Sequence, residues 1–214
     1  NSERSATYSA MSPTGVLGLV GLTERAPEGG VGRASSWKRF VELFGPGAAH
    51  SMPEARQALQ NGASELVVVA LPNAGVAATA TLRQGDDVVL ELTARAPGTW
   101  ANGRRVKVSQ RTQGGAVVAF DLEIERPDGT RELHRELGRS PRGPGAFVVA
   151  ALAVGSTVAT AQSRREAWPD AGEVVFTGGV DGAVDDYAAV LEALRGHGDV
   201  DLVIAAVQDR GDAA

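Results

Sequence analysis

Cysteine is absent from the 214 residues. That excludes a disulfide scaffold, a thiolate metal site and a cysteine nucleophile, and it fits a reducing compartment. Long apolar runs are missing too: none approaches the about 18 residues that a membrane-spanning helix needs. The opening residues, Asn1 to Gly15, lack the apolar centre of a signal peptide. No initiator methionine precedes them, so a trimmed chain is expected. The histidines, His50, His134 and His197, lie in unrelated contexts. None has a carboxylate or second histidine at metal-ligand spacing, so each reads as a surface or loop residue. There is no Gly-x-Ser-x-Gly elbow. These absences predict a non-catalytic protein with no cofactor and no metal.

What is present is ordinary for a folded domain, with 43% apolar and 22% charged residues, in a length that holds one or two cores. The net charge of −5 is unevenly spread. Residues 1–72 hold six basic and six acidic groups, residues 73–165 thirteen and nine, and residues 166–214 two and eleven. Such asymmetry helps to orient subunits against one another. The middle, at net +4 with Trp100 its one tryptophan, is a weak nucleic-acid footprint.

The stretch Val174 to Val207 reads as strand, glycine turn, helix, strand. Val174, Val175 and Phe176 suit a short buried strand. Gly178, Gly179 and Gly182 supply a permissive loop. Asp185 and Asp186 suit the positive end of a helix whose stripe is Tyr187, Val190, Leu191 and Leu194. Gly196 and Gly198 stop it, and Leu202, Val203, Ile204 and Val207 form a second apolar run. Such a unit joins two parallel strands.

Earlier in the chain, Gly15–Leu22 and Leu66–Leu71 read as buried strands. Between them, Ser35 or Ser36 caps a helix with Trp37, Phe40, Val41 and Phe44 on one face. A second helix, Ser51 to Gly62, carries the capping-box pair Ser51 and Glu54. After Pro72 the pattern changes to strands near 76–82, 88–95, 104–110, 116–126 and 130–137. Several alternate: Val88, Leu90 and Leu92 against Val89, Glu91 and Thr93, and Phe120, Leu122 and Ile124 against Asp121, Glu123 and Glu125. Period two means one buried and one wet face. A short helix is expected within 147–154 and a last strand within 156–162. The fold class is therefore an α/β core, a mixed and mostly parallel sheet with flanking helices, interrupted by an inserted all-β, sandwich-like module. Residues 1–14 form an N-terminal tail, 15–72 and 166–214 the split core, and 73–165 the insertion.

The loop Phe176 to Gly182, FTGGVDG, precedes a helix and is the one candidate for holding a phosphate. It lacks a following Lys-Ser/Thr, and Asp181, Asp185 and Asp186 would repel the ligand. The same aspartates, with Asp170, are candidates for a hard cation, although their spacing is that of helix caps. A nucleotide- or small-molecule-binding α/β domain using this loop is the alternative function.

Taken together, GVLGLVGLTERAPEG, SSWKRFVELFG, NGASELVVVAL, LELTARAPGTWANGRRVKVS and FTGGVDGAVDDYAAVLEAL followed by DVDLVIAAV resemble, in the same order, segments of contractile phage tail sheath proteins. These include the sheaths of phage-like injection systems and R-type bacteriocins. The resemblance runs from about residue 15 to 207. Trp100-Ala101-Asn102-Gly103 departs from the family's local pattern, so that turn is expected to differ in shape. The family's arms and C-terminal domain have no counterpart before Ser12 or after Ala214, which makes a fragment the expectation. The resemblance implies an α/β core with an inserted β-sandwich and no active site. It implies homo-oligomers in stacked rings or helical rows around a tail tube protein, with baseplate and tail terminator proteins as further partners. Neither nucleic acid nor membrane insertion is implied. The location would be a virion tail or phage-like particle assembled in the bacterial cytoplasm.

Overall fold

The structure, a computed structural model, describes residues 14–71, 75–127, 129–182 and 186–206. The expected tail up to residue 13, the boundary at Pro72, the Asp185 cap and Val207 fall outside these residues, and Thr14 already belongs to the first strand. In chain order the elements are β1 (Thr14–Leu22), β2 (Val31–Ala34), α1 (Trp37–Phe44), α2 (Ala48–Ser51), α3 (Pro53–Gln60) and β3 (Ala63–Leu71). There follow β4 (Thr79–Gln84), β5 (Asp87–Ala94), β6 (Arg105–Gln113), β7 (Ala116–Glu125), β8 (Arg131–Gly138), β9 (Ala146–Phe147), α4 (Val148–Gly155), β10 (Ala159–Ser163) and β11 (Gly172–Val175). The last two are α5 (Asp186–Arg195) and β12 (Val200–Ala205). Among the described residues the fold is mixed α/β, with three sheets and few, short helices.

The first sheet has the order β12-β1-β3-β2. β1 runs parallel to both β3 and β12, in register Leu19 with Val68 and Ile204, whereas β2 closes the far edge antiparallel to β3. β1 and β3 are covered on both faces, which is why they read as unbroken apolar runs. Leu19, Leu66 and Val68 pack with Phe40, Phe44, Met52 and Ala55 of the α1–α3 layer. Val20, Leu22, Val67 and Val69 pack with Val190 and Leu194 of α5. Ser36 caps α1, its hydroxyl accepting from the Arg39 N–H at 3.2 Å, so the first orphan donors of that helix are partly satisfied. Phe40 and Phe44 are fully buried, whereas Trp37 is half-buried and stacks on Phe40 at 5.2 Å.

The other two sheets, β10-β5-β4 and β11-β6-β7-β8-β9, share one core with α4. Leu82, Leu90 and Leu92 meet Val106, Val108, Phe120, Leu122 and Ile124 there. The alternation expected in β7 is present. In β5 it breaks at Val89, expected on the wet face but buried. The β4–β5 register slips next to it, and a bulge of this kind re-aims a side chain.

Several expectations are corrected. Val174 and Val175 belong to β11, which runs antiparallel to β6 in the five-stranded sheet, and Phe176 is buried in that core. They are not a strand of the first sheet; the parallel partner of β12 is β1. An apolar run specifies strand, not partner. Residues 172–180 thus stay with the β-rich part, past the expected boundary at 165/166. The capping box fails as well: Ser51 ends α2, Met52 stands at the N-cap of α3, and the buried Ser51 hydroxyl has no hydrogen-bond partner among the described residues. Leu202 and Val203 are 60% and 44% exposed, because β12 is an edge strand.

Candidate functional site

The first sheet and the β-rich part meet at a joint built by Glu24, in the loop after β1, and Arg95, just after β5. Their side chains form an ion pair at 2.7 Å and are only 18% and 8% exposed. Arg95 also donates to the carbonyls of Leu152 at 3.1 Å and Ala153 at 2.5 Å. Those carbonyls lie in the last turn of α4, where the helix dipole favours a cation. The second oxygen of Glu24 accepts from the Gly47 N–H at 3.0 Å. Glycine at 47 suits this close approach: a Cβ there would lie 3.0 Å from the Arg95 backbone. Beside this pair His50 stacks on Trp100, ring centroids 5.0 Å apart. Sequence reading singled out neither Glu24 nor Arg95, and it missed the contact between His50 and Trp100. Glu24 and Arg95 are 71 positions apart, and nothing local marks either.

Next to the joint opens a cleft of about 770 Å³ between α1, α3 and the β7–β8 turn. Trp37, Val41, Pro46, Ala49, Pro53 and Pro127 give it an apolar lining, and Arg56 and Arg126 bring positive charge to it. Arg56 lies over the Trp37 ring, 5.6 Å from its centroid, a cation–π contact.

Below Arg126, Glu132 of β8 is buried and ionised. It accepts from the Ser156 hydroxyl at 2.5 Å and from the Thr157 N–H and hydroxyl, both at 2.9 Å. Burial pushes its carboxyl up; the imidazole of His134, 3.7 Å away, and the bonds from Ser156 and Thr157 outweigh this and hold it at about 2. Glu132 thus ties β8 to the loop that leads into β10. His134 and His50 are accordingly packed residues, not the loose surface groups expected.

Much of the glycine loop is bonded to neighbouring segments of the fold. Thr177 and Val180 donate to the carbonyls of Thr79 and Val76, and the Gly179 N–H donates to Asn102 Oδ1, each at 2.9 Å. Asn102 Nδ2 donates back to the Gly179 carbonyl at 2.9 Å. Asp181 accepts from the Thr99 N–H and hydroxyl at 2.8 and 2.9 Å. A Cβ at Gly179 would collide with the Gly98 carbonyl oxygen. These N–H groups pair within the fold and are not offered to a phosphate, and the glycine serves close backbone approach. The structure also places the two resemblance-bearing stretches, 98–103 and 176–181, against one another. Asp170 accepts from the Gly85 N–H at 2.7 Å. Among the described residues no three His, Asp or Glu side chains gather as a metal site.

Part of the middle segment's positive charge is paired. On the outer face of the five-stranded sheet, Arg111 pairs bidentately with Asp121 at 2.8 Å, Arg131 with Glu123 at 2.9 Å and Arg105 with Glu173 at 3.7 Å. The Arg111 guanidinium holds the Asp121 carboxyl below the usual range. Opposite charges facing across strands support the sheet and leave a wet surface.

No protein-family model matches the sequence, and no curated protein does. Solved structures do. A sheath tail protein of Listeria innocua is 18% identical, with a TM-score of 0.51 over 93% of this chain and 42% of its own. A sheath tail protein of Desulfitobacterium hafniense is 17% identical, with a TM-score of 0.53 over 88% of this chain and 41% of its own. The chain spans about two fifths of the length of these proteins. Over 88–93% of its length, the chain has the fold of sheath tail proteins.

Proposed function

We propose that this chain is a structural subunit of a contractile tail sheath, or a piece of one. It assembles helically around a tail tube and contracts to drive the tube through a target envelope. The observation that carries the reading is the shared fold over 93% of the chain, on which the five sheath-like sequence segments fall in order. Its partners are copies of itself, the tube protein, and baseplate and terminator proteins. Its place is a phage or phage-like tail assembled in the bacterial cytoplasm.

The work is mechanical, with no chemistry. Interfaces repack between discrete arrangements and do not deform continuously. Two observations support a split core with a β-sandwich insertion. The two sheets of the middle share their own core. Val76 and Val180, where the chain enters and leaves that part, pair antiparallel at 2.8 and 2.9 Å. An insertion whose ends lie side by side disturbs its host little. The buried Glu24–Arg95 joint then fixes how the inserted unit is held on the core.

Electron microscopy of the protein purified over a range of salt and concentration tests the reading. Tubes, rings or stacked discs are expected; monodisperse monomers under every condition overturn it.

A further inference from the structure

We propose that Asn61, where α3 passes into β3, is a modification site: its amide is lost through attack by the Gly62 nitrogen, and a mixture of aspartate and isoaspartate takes its place. The site stands whether or not the chain builds a sheath.

Asn-Gly occurs twice in the chain, at 61–62 and 102–103. Asparagine is thermolabile, and most so here, because glycine has no Cβ to obstruct its own nitrogen. The fold treats the two sites differently. At the second, Asn102 Nδ2 donates to the Gly179 carbonyl and Oδ1 accepts from the Gly179 N–H, both at 2.9 Å. The Gly103 nitrogen, which would have to attack, donates to the Phe176 carbonyl at 2.9 Å. Both reacting groups are engaged there. At the first site Asn61 and Gly62 are exposed. The Gly62 N–H makes no hydrogen bond among the described residues. The Asn61 amide donates from Nδ2 to the Gln57 carbonyl at 2.8 Å, an exposed bond for which water competes. Asn61 stands at ψ 12° as the C-cap residue of α3. Ring closure needs a turn about its Cα–C bond, and fraying of the helix end supplies it.

In the reaction the Gly62 nitrogen bonds to Asn61 Cγ and the Cγ–Nδ2 bond breaks. The Gly62 proton leaves with Nδ2 as ammonia, and a cyclic succinimide remains. Water then opens the ring. Opening at Cγ gives aspartate, and opening at the main-chain carbonyl gives isoaspartate. Either product places a carboxylate at the C-terminal end of α3, where the helix dipole favours a cation, and removes the donor to Gln57. Isoaspartate also adds a methylene to the main chain just before Ala63, which pairs with Thr14 of β1. Deamidation thus loosens the link between α3 and the first sheet, whose core holds Ala55 of α3.

The test incubates the whole chain at neutral pH in heavy-oxygen water, with and without guanidinium denaturant, and reads each site by digestion and tandem mass spectrometry. In the folded chain the heavy oxygen is expected at 61, in both aspartate and isoaspartate. At 102 it is expected to enter at least about tenfold more slowly, because three hydrogen bonds must first open there. In denaturant the two sites are expected to react at similar rates. Asn61→Gln should abolish the label at 61 and leave 102 unchanged. Asn61→Asp, which copies one product, should unfold at a lower temperature than the parent chain. No label at 61 in the folded chain, or equal rates at 61 and 102 without denaturant, overturns the proposal. An unchanged midpoint in Asn61→Asp overturns the loosening of α3.

Discussion

Glu24 and Arg95 pair at 2.7 Å across the joint between the first sheet and the β-rich part, and both are largely buried. Deleting one partner strands the other charge in a dry site. Glu24→Ala should therefore cost about 3–5 kcal/mol, read as a lower urea midpoint. Replacing both residues, as in Glu24→Ala/Arg95→Met, should cost less than the two single losses together. Strict additivity would mean that the pair contributes nothing as a pair.

Glu132 makes stability depend on acid. Its carboxyl titrates at about 2 in the fold against an ordinary 4.5. A depressed folded value means that the unfolded chain binds the proton first as pH falls. The stabilisation is complete above about pH 4.5 and is lost as pH falls towards 2. The shift corresponds to about 3 kcal/mol at neutral pH. Glu132→Gln should flatten the slope of unfolding free energy against pH in that window. An unchanged slope would show that other carboxylates carry the acid sensitivity.

Phe40 is fully buried between α1 and the first sheet. Phe40→Ala should cost about 3–5 kcal/mol through lost transfer energy and a cavity. A calorimetric scan showing a loss below about 1 kcal/mol would contradict this packing.

The boundary of the inserted unit can be tested by excision. Deleting 73–165 leaves β11 and Phe176 without the core they pack in, so that product should be insoluble or molten. A chain of residues 75–182 keeps the whole shared core and should unfold cooperatively by circular dichroism. A folded product from the first deletion and an unfolded one from the second would reverse the assignment.

The sequence by itself marked most of the strands and helices, because periodicity records burial; β2, in a glycine-rich stretch read as loop, and the short α2 were not among them. Alternation in β7 marked its buried face, and unbroken apolar runs marked β1 and β3 as covered on both sides. Ser36 marked a helix start through a bond three residues away. Tertiary structure decided the rest. The run Val174–Phe176 carries no information about its neighbour, and only the assembled sheets place it against β6. Ser51 and Glu54 have capping-box spacing, yet packing ends one helix at Ser51 and starts the next from Met52. The glycines at 178 and 179 suggested an open loop until Asn102 took up the Gly179 N–H. The joint and the cleft were invisible for the same reason. Glu24 meets Arg95, and Arg56 and Arg126 come to line one cleft, only when distant segments are brought together, and contacts between segments far apart in the chain leave no local pattern in it.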